Sequence, residues 1–372
     1  MFLKKIEIVN FRNYDDLNIK FNKKTNIIYG KNGQGKTNLL EAIYILGLTK
    51  SHRFFIDNNL IKEDSSISKI KGVINKNKID YTFEIELTDK TKTIKIDKKE
   101  VKKIGDYVSK MNVIIFYPED LDLIKGSPNI RRKFLNLEIS QINPSYLSVL
   151  SDYQKILKMR NEYLKQENKQ EESYYEVLET YYVARAVEIY KIRNKFINRL
   201  NEYVENIYYN VSGVRGFNLK YEPNIDIKEF DSESIRKSLK HNMYKIKNKE
   251  LKLGVSLVGP HRDDIGFYIG SKDLKSFGSQ GQQRLAIIAL KLAEVELFKQ
   301  YIGDTPILLL DDVFSELDTK KKNLLLKYID TNIQTMITTT DLRTINKKVV
   351  TNSKLIKINE GKIEKEVDNG GK

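Results

Sequence analysis

The stretch GKNGQGKT, Gly30 to Thr37, places glycines, a lysine and a hydroxyl residue at the spacing G-x-x-x-x-G-K-[ST]. It follows a short apolar segment and opens an apolar stretch with helical spacing, which is the context that this motif requires. Glycine lets backbone amides turn toward phosphate oxygens, Lys36 is expected to reach the β and γ phosphates, and the Thr37 hydroxyl to bind Mg²⁺. The stretch predicts a nucleotide site formed by Gly30, Lys31, Asn32, Gly33, Gln34, Gly35, Lys36 and Thr37.

A second candidate site is PILLLDDVFSELD, Pro306 to Asp318, an apolar strand that ends in two carboxylates. Ligands of open α/β sheets bind at the carboxyl ends of the strands, so Asp311 is expected to hold the water shell of Mg²⁺. Asp312 follows it and is expected to face the attacking water. Lys36, Asp311 and Asp312 are thus the predicted catalytic residues, and Thr37 and Asp311 the predicted metal ligands. A plainer interpretation is that Asp311 and Asp312 are simply solvated at the end of a strand. The presence of the phosphate-binding motif in the same chain disfavours it.

A third stretch, SFGSQGQQRLAIIALKLAEVELF from Ser276 to Phe298, is an uncharged loop of Gly, Ser and Gln that leads into a helix. Ser279 is expected to cap that helix. The chain thus has a second loop of a kind that can bind an anion, far along the sequence from the loop Gly30 to Thr37.

The elements that must position these residues fall into three blocks. From Met1 to about Phe116 alternating segments predict strands, with one helix that starts at Thr37. From about Pro118 to Lys252 the apolar period becomes helical, and after it strands alternate with helices, including a helix over KKKNLLLKYI. The prediction is a split α/β domain, 1–116 and 253–368, around a helical lobe, 117–252, with a disordered tail at 369–372.

The composition favours a polyanionic partner. The net charge is +15, from 65 Lys and Arg against 50 Asp and Glu, although codon bias toward AT-rich codons is an alternative source of lysine. The absence of cysteine excludes disulfides and thiolate sites, and no apolar run has the length of a membrane span. With no signal-peptide pattern at the start, the cytoplasm is the expected location and no membrane partner is expected. If the polyanionic partner is DNA, the protein is expected to associate with the nucleoid.

Two further stretches leave alternatives open. RKSLKHNMYKIKNKELK, Arg236 to Lys252, has seven basic residues and one acidic residue, and is either a solvated helix face or a contact for the DNA backbone. GPHRDD, Gly259 to Asp264, is either a hydrogen-bonded turn or a contact for nucleotide or DNA, so the roles of His261 and Arg262 stay open.

Taken together, the motifs resemble those of ABC-type ATPase heads of the SMC and Rad50 kind, and within them the RecF family of bacterial recombination mediators. Besides the two nucleotide motifs the resemblance rests on segments in a fixed order, and it covers nearly the whole chain. These segments are NFRNY (Asn10 to Tyr14), YPEDLDLIKGSPNIRRKFL (Tyr117 to Leu135), GPHRDD, FGSQGQQR (Phe277 to Arg284) and LLLDDVFSELD (Leu308 to Asp318).

The resemblance implies a fold and a set of roles. The fold is an ABC-type ATPase head, with a mixed sheet that carries the P-loop, an antiparallel β subdomain and an inserted helical lobe. In such heads the signature loop closes on the nucleotide bound to the partner subunit, a role that falls on Ser279, Gly281 and Gln282. Arg12 and Asn13 match a segment that approaches the nucleotide, and Ser315 and Asp318 match the D-loop at the dimer seam.

The sequence departs from the wider ABC pattern at three places. Asp312 stands where many ABC proteins have Glu, the segment Thr338 to Asp341 replaces the switch His, and no Gln stands near Pro118 to Asp120, where the Q-loop is expected. A hydroxyl would therefore take over the sensing of the γ-phosphate.

The function implied is that of an ATP- and Mg²⁺-dependent DNA-binding mediator that acts with RecO and RecR, and through them with RecA, at gaps and at junctions of single-stranded and duplex DNA. ATP would hold two heads together as a homodimer and slow, DNA-stimulated hydrolysis would release them. The alternatives are another SMC or Rad50-like head, a transporter subunit, and a DNA clamp that binds ATP without turnover. An insert of roughly 130 residues without sustained heptads is too short for the long coiled coil of the first alternative.

Overall fold

The computed structural model describes residues 1–53, 57–166, 172–317, 321–322, 325–326 and 333–370. Its strands are β1 (Phe2–Phe11), β2 (Tyr14–Lys20), β3 (Thr25–Tyr29), β4 (Ile67–Lys76), β5 (Ile79–Thr88), β6 (Lys92–Ile96), β7 (Lys99–Glu100), β8 (Val113–Phe116), β9 (Phe217–Glu222), β10 (Asp264–Ile269), β11 (Lys272–Asp273), β12 (Ile307–Leu310), β13 (Thr335–Thr339), β14 (Lys354–Asn359) and β15 (Lys362–Asp368).

The α-helices in the same part of the chain are α1 (Lys36–Leu48), α2 (Ile104–Val108), α3 (Asp122–Lys125), α4 (Pro128–Ile142), α5 (Pro144–Lys165), α6 (Glu172–Ser212), α7 (Ser232–Leu253), α8 (Leu274–Phe277), α9 (Gln280–Ile302) and α10 (Lys347–Thr351). Short 3₁₀ helices cover Asp57–Leu60, Pro118–Leu121, Pro260–Arg262, Val313–Glu316 and Leu342–Thr344. None of these helices combines the length and the apolar character that crossing a membrane requires.

The chain divides into two compact units. Unit 1 is Met1–Asp120 with Lys291–Lys372, and unit 2 is Leu121–Leu290. Unit 1 contains two six-stranded sheets, one in the order β2-β1-β4-β5-β6-β7 and one in the order β15-β14-β3-β13-β12-β8. The first is antiparallel, and in the second only the β14–β15 pair is antiparallel. The mixed sheet and the antiparallel sheet predicted from the sequence are confirmed.

Burial explains why strands β8, β12 and β13 of the mixed sheet have no alternating pattern. Every residue of β8, β12 and β13 is buried, as expected when a parallel sheet is covered on both faces. Helix α1 packs against strands of both sheets and is buried continuously from Leu39 to Leu48. It is therefore apolar on all sides, and the one charged residue in that buried run, Glu41, is an exception that needs a partner.

Unit 2 is mainly helical, with the 41-residue helix α6 packed against α5, α7 and β9. It also contains a three-stranded sheet in the order β11-β10-β9. The predicted helical lobe, 117–252, also contains a strand, β9, that the sequence analysis did not identify. The alternation of buried Phe217 and Leu219 with more exposed neighbours is the signal that could have revealed this strand.

The two units divide at different residues from the predicted domain boundaries. Residues 253–290 group with unit 2 because β10 pairs with β9 along its whole length, from Asp264 opposite Glu222 to Ile269 opposite Phe217. The pairing of two strands that lie this far apart in the sequence cannot be predicted from local composition. In the predicted tail, the Asn369 N–H donates to the Ser353 carbonyl at 3.3 Å, while residues 371 and 372 lie outside the described part.

A buried polar network in unit 2 is built on the GPHRDD motif. Asp263 is fully buried, and its carboxylate accepts from Arg193 Nη1 at 2.9 Å, from the Tyr221 hydroxyl and from the Asn224 N–H. Burial raises the pKa of Asp263, and the neighbouring Arg193 opposes that shift. The adjacent Asp264 binds Arg131 through both of its oxygens, at 2.5 and 2.7 Å.

His261 of the same motif is also part of this interior. Its Nε2 donates to the Ser256 carbonyl at 3.0 Å, because a carbonyl can only accept, and its Nδ1 lies 2.7 Å from the Tyr153 hydroxyl. Burial lowers the pKa of His261 to about 4, which keeps the ring neutral near pH 7. The geometry of GPHRDD is thus that of a hydrogen-bonded turn.

We expect Asp263→Asn to destabilise unit 2 by about 3–5 kcal/mol, because it leaves the buried guanidinium of Arg193 without its counter-charge. Urea unfolding followed by circular dichroism measures the loss. The control is Glu162→Gln, which removes the exposed ion pair between Lys158 and Glu162 on α5 and should change stability little. Equal, small effects of both substitutions would contradict an organising role for Asp263.

Candidate nucleotide-binding site

The loop between β3 and α1 contains the glycines that the motif predicts. Gly35 has φ 110°, and a Cβ there would lie 2.7 Å from Asn13 Nδ2 and 2.9 Å from the Tyr14 hydroxyl. Gly30 has φ 155°, and a Cβ there would meet the Ile358 carbonyl oxygen at 2.2 Å. No described side chain caps the amino end of α1, so its first N–H groups remain available to an anion.

Lys36 lies inside this loop. Its ammonium donates to the carbonyls of Gly30 at 2.8 Å and Lys31 at 2.7 Å, and the residue is 7% exposed. Burial lowers the pKa of Lys36, while the carboxylates of Asp312 and Asp311 act in the opposite direction. An ammonium in this position offers a concentrated positive charge to a phosphate in the loop.

The remaining loop residues divide by exposure and contacts. Lys31, Asn32 and Gly33 are exposed, whereas Gln34 is half-buried and accepts hydrogen bonds through both its side chain and its backbone. Its side-chain oxygen accepts from the Glu360 N–H at 2.6 Å and its carbonyl accepts from the Gly361 N–H at 3.1 Å. The turn between β14 and β15 therefore supports the phosphate loop from behind.

The two predicted metal ligands are brought together. The Thr37 hydroxyl donates to Asp311 Oδ1 at 3.0 Å, across 274 residues of sequence. The Thr338 hydroxyl donates to the same oxygen at 2.7 Å. This convergence follows from the strand order β3-β13-β12, which sets the carboxyl ends of three parallel strands side by side.

The donor set fits a Mg²⁺ ion. A hydroxyl and a carboxylate are the hard oxygen ligands that this ion prefers, with phosphate and water oxygens filling the rest of its shell. Among the described residues no group of three His, Asp or Glu side chains could hold a metal alone. Burial raises the pKa of Asp311, and the hydrogen bonds from Thr338 and Thr37 counteract the shift.

Asp312 follows in a left-handed conformation, with φ 51°. Its N–H donates to the Thr338 hydroxyl at 2.9 Å. Thr338 thus contacts both aspartates, accepting from the backbone of Asp312 and donating to the carboxylate of Asp311. The sequence marked Thr338 only as the start of the segment that replaces the switch His, and its position between the two acids is a feature of the fold.

The NFRNY segment contacts the phosphate loop through Asn13, which the sequence predicted, and through Tyr14, which it did not. Asn13 Nδ2 donates to the Gln34 carbonyl at 3.2 Å, and the buried Tyr14 hydroxyl donates to the Gly35 carbonyl at 2.9 Å. Arg12 instead binds Glu41 of α1 through Nε at 3.0 Å and Nη2 at 3.1 Å. Asn13 and Tyr14 therefore brace the loop, and the contacts of Arg12 run to a buried carboxylate.

Glu41 and Tyr14 were missed by sequence reasoning. Glu41 is fully buried and accepts additionally from the Ser51 hydroxyl at 2.5 Å. The available signal was a single acid in an apolar helix that opens with the phosphate loop. Such an acid must be paired when it is buried, and an arginine in a neighbouring motif is the natural partner.

The position expected for the Q-loop is occupied by a different arrangement. Asp120, which follows β8, is 3% exposed and accepts from the Tyr117 N–H at 3.0 Å, with Lys291 Nζ at 3.7 Å. Burial raises its pKa to about 6, with Lys291 acting against the shift. Of the predicted D-loop residues, Ser315 lies in the 3₁₀ helix Val313–Glu316 and Asp318 lies outside the described residues, as does most of the predicted helix over KKKNLLLKYI.

The predicted signature loop belongs to unit 2. The Ser279 hydroxyl accepts from the Gln282 N–H at 3.2 Å, and Gln282 Oε1 accepts from the Ser279 N–H at 2.9 Å. This reciprocal pair is a capping box at the start of α9, so the expected cap by Ser279 is confirmed. Ser279 and Gly281 are exposed, and a Cβ on Gly281 would meet no atom closer than 4.0 Å.

Comparisons with known proteins agree over nearly the full chain. Residues 2–364 match the family model of the RecF/RecN/SMC N terminal domain. The DNA replication and repair protein RecF of Bacillus cytotoxicus is 41% identical over 371 residues, which is 99% of this chain and all of that protein. RecF of Bacillus cereus strain G9842 is 40% identical over 373 residues, with the same shares covered.

Solved structures give the same result. A structure of the recombination mediator protein RecF with ATP, described as part of the RecFOR pathway, matches with TM-score 0.92 and 32% identity, over 98% of this chain and 97% of that one. An Smc head domain from Pyrococcus furiosus matches with TM-score 0.55 and 15% identity, over 99% of this chain and 96% of that one, and therefore shares the fold.

The mixed sheet, the phosphate loop and the paired carboxylates at the ends of parallel strands define an ABC-type ATPase head with an inserted helical lobe. The similarity in sequence and structure is more specific than this class. The chain belongs to the RecF family of DNA replication and repair proteins.

We expect Thr338→Val to lower the rate of ATP hydrolysis at least about tenfold, because a charge-assisted hydrogen bond to Asp311 is lost. Loss of this donor also raises the pKa of Asp311, so the acid limb of the pH–rate profile should move to higher pH. Thr338→Ser, which retains the hydroxyl, is the control and should keep both the rate and the profile. An unchanged profile in Thr338→Val would exclude the hydroxyl from the site's electrostatics.

Proposed function

We propose that this protein binds ATP with Mg²⁺ in the loop Gly30 to Thr37 and uses the bound nucleotide to form a homodimer on DNA. The observation that carries the proposal is the hydrogen bond between Thr37 and Asp311, which assembles the two halves of a Mg²⁺–phosphate site. The 32%-identical relative solved with ATP supports this choice of nucleotide. Lys36 neutralises phosphate charge, and Thr37 and Asp311 hold the ion directly and through water.

Hydrolysis is assigned to the residues around the second acid. Asp312 orients the attacking water or accepts its proton, and its backbone is fixed through the N–H bond to Thr338. The side chain is shorter than the Glu of many ABC heads, which is consistent with weak turnover. DNA stimulates this slow reaction, which acts as a timer for release and not as a source of force.

The signature loop completes the site of a second copy. Ser279 and Gly281 lie exposed, and Gln282 lies half-buried, at the amino end of a 23-residue helix, and the N–H groups at such an end attract phosphate. In a two-fold dimer each ATP lies between Lys36 of one copy and Ser279 of the other. Dimerisation then depends on ATP, because the nucleotide is part of the interface.

The proposed role in DNA binding follows from the family and from the net charge of the protein. The net charge of +15 suits a nucleic acid, and the 40%-identical relatives are DNA replication and repair proteins. We propose that the protein recognises single-stranded and gapped or junction DNA and, with RecO and RecR, assists the loading of RecA there. A second candidate is a DNA clamp that binds ATP without turnover, favoured only by the shorter Asp312.

Mixing two inactive variants tests the composite site. Lys36→Met loses the phosphate cation and Ser279→Arg blocks the signature loop, so each alone should be inactive. Random pairing makes half of the dimers mixed, and each mixed dimer has one intact site, so ATPase activity should recover to about a quarter of the wild-type level. If Ser279 acts on the ATP of its own chain, every site keeps a defect and mixing restores nothing.

Sedimentation of the same mixture with and without ATP is the control for dimer formation. Heterodimers without any activity would point to strict cooperation between the sites. Wild-type dimers that bind ATP with no measurable hydrolysis, with or without DNA, would favour the clamp.

Binding to DNA should weaken steeply with salt, because lysines release counterions from phosphates. Replacing Lys245, Lys247 and Lys249 on α7 by Glu should weaken binding across sequences alike and reduce the slope of log Kd against log salt by about 0.9 per lost contact. The matched control reverses the charge of Lys4, Lys69 and Lys71, which are already paired on the antiparallel sheet. Equal losses in both triple variants would mean that net charge alone, and not α7, governs binding.

A further inference from the structure

Helix α7 has one buried side and one strongly basic exposed side. Ile235, Leu239 and Met243 are buried along the first side, together with Glu250, which pairs with the buried Arg160 at 2.7 Å. The opposite side is formed by positions that recur at intervals of three and four residues and therefore share one face. We call this side the α7 basic face: Lys237, Lys240, His241, Tyr244, Lys247 and Asn248.

Within the described residues, the cations of α7 lack acid partners, unlike several lysines of the antiparallel sheet. On the antiparallel sheet of unit 1, Lys4, Lys5 and Lys69 lie within 2.7 Å of carboxylates, so their charges are largely compensated. All seven Lys and Arg residues of α7 are exposed, and within the described part of the chain none lies in an ion pair. They are Arg236, Lys237, Lys240, Lys245, Lys247, Lys249 and Lys252. The positive potential of this helix is therefore available to a polyanion.

Tyr244 lies in the middle of the α7 basic face and is 81% exposed. The residues three and four positions away on either side are Lys240, His241, Lys247 and Asn248, none of which is apolar. Lys247 Nζ also lies 5.4 Å from the centre of the Tyr175 ring, a cation–π contact that steadies this side chain. An exposed aromatic ring surrounded by cationic side chains is an arrangement that binds single-stranded nucleic acid. The cations contact the phosphates, and a base stacks on the ring.

We infer that the α7 basic face binds single-stranded nucleic acid and that Tyr244 stacks on an unpaired base. In duplex DNA the bases are stacked on each other, so the ring gains a partner only where strands are unpaired. Tyr244 then gives preference for a single strand or a gap, while the lysines add affinity for either form. The inference rests on the DNA binding proposed above and names the form of DNA that this helix recognises.

Anisotropy titrations of the full-length protein with labelled oligo(dT) and with a blunt duplex of equal length test the inference at one salt concentration. Tyr244→Ala should raise Kd for oligo(dT) at least about fivefold and change Kd for the duplex less than twofold. Tyr244→Phe keeps the ring and should bind both as the wild type does. Tyr181→Ala removes another exposed tyrosine, on α6, and should change neither.

The outcomes separate two failures. Wild-type protein that binds neither DNA would overturn the proposed DNA function and the inference with it. Wild-type binding with equal losses for both DNAs in Tyr244→Ala, or with no loss, would overturn only the stacking role. A photocrosslink between 5-iodouracil in the single strand and the α7 peptide, present in the wild type and absent in Tyr244→Ala, is the expected direct evidence; its presence in both would overturn stacking on Tyr244.

Discussion

The site depends on one carboxylate oxygen, Oδ1 of Asp311, that accepts hydrogen bonds from Thr37 and Thr338. Three parallel strands must stand in the order β3-β13-β12 for these groups to meet. A buried carboxylate is costly unless it is hydrogen-bonded, so the pairing of the strands and the geometry of the site enforce each other. Any shift in strand register would leave Asp311 buried and unsatisfied.

The same principle recurs where the chain buries other charges. Glu41 lies inside the helix that opens with the phosphate loop, and its bond to Arg12 ties the turn after β1 to that helix. In unit 2, Asp263 and Glu250 hold Arg193 and Arg160 in the interior. Buried ion pairs of this kind restrict the arrangements that a fold can adopt, because a lost partner leaves an uncompensated charge. The motifs that identify the family are therefore partly internal supports.

The lysines of the protein differ in whether they are paired with acids. Lys4 and Lys69 of the antiparallel sheet pair with carboxylates, whereas the lysines of α7 face solvent with an aromatic ring among them. A net charge of +15 does not distinguish these cases. Among the described residues, the positions of the acids show which lysines are unpaired, and the lysines of α7 are among them.

The sequence alone determined the phosphate loop, the strand that ends at Asp311, the antiparallel meander and the long helices, because each follows from local spacing and periodicity. It did not determine β9, the pairing of β9 with β10, the Arg12–Glu41 pair, or the place of Thr338 between two aspartates. These features join residues far apart in the chain, and no local pattern encodes their distance. Tertiary structure decided them, since a buried polar group takes whichever partner the packed fold brings within hydrogen-bond reach.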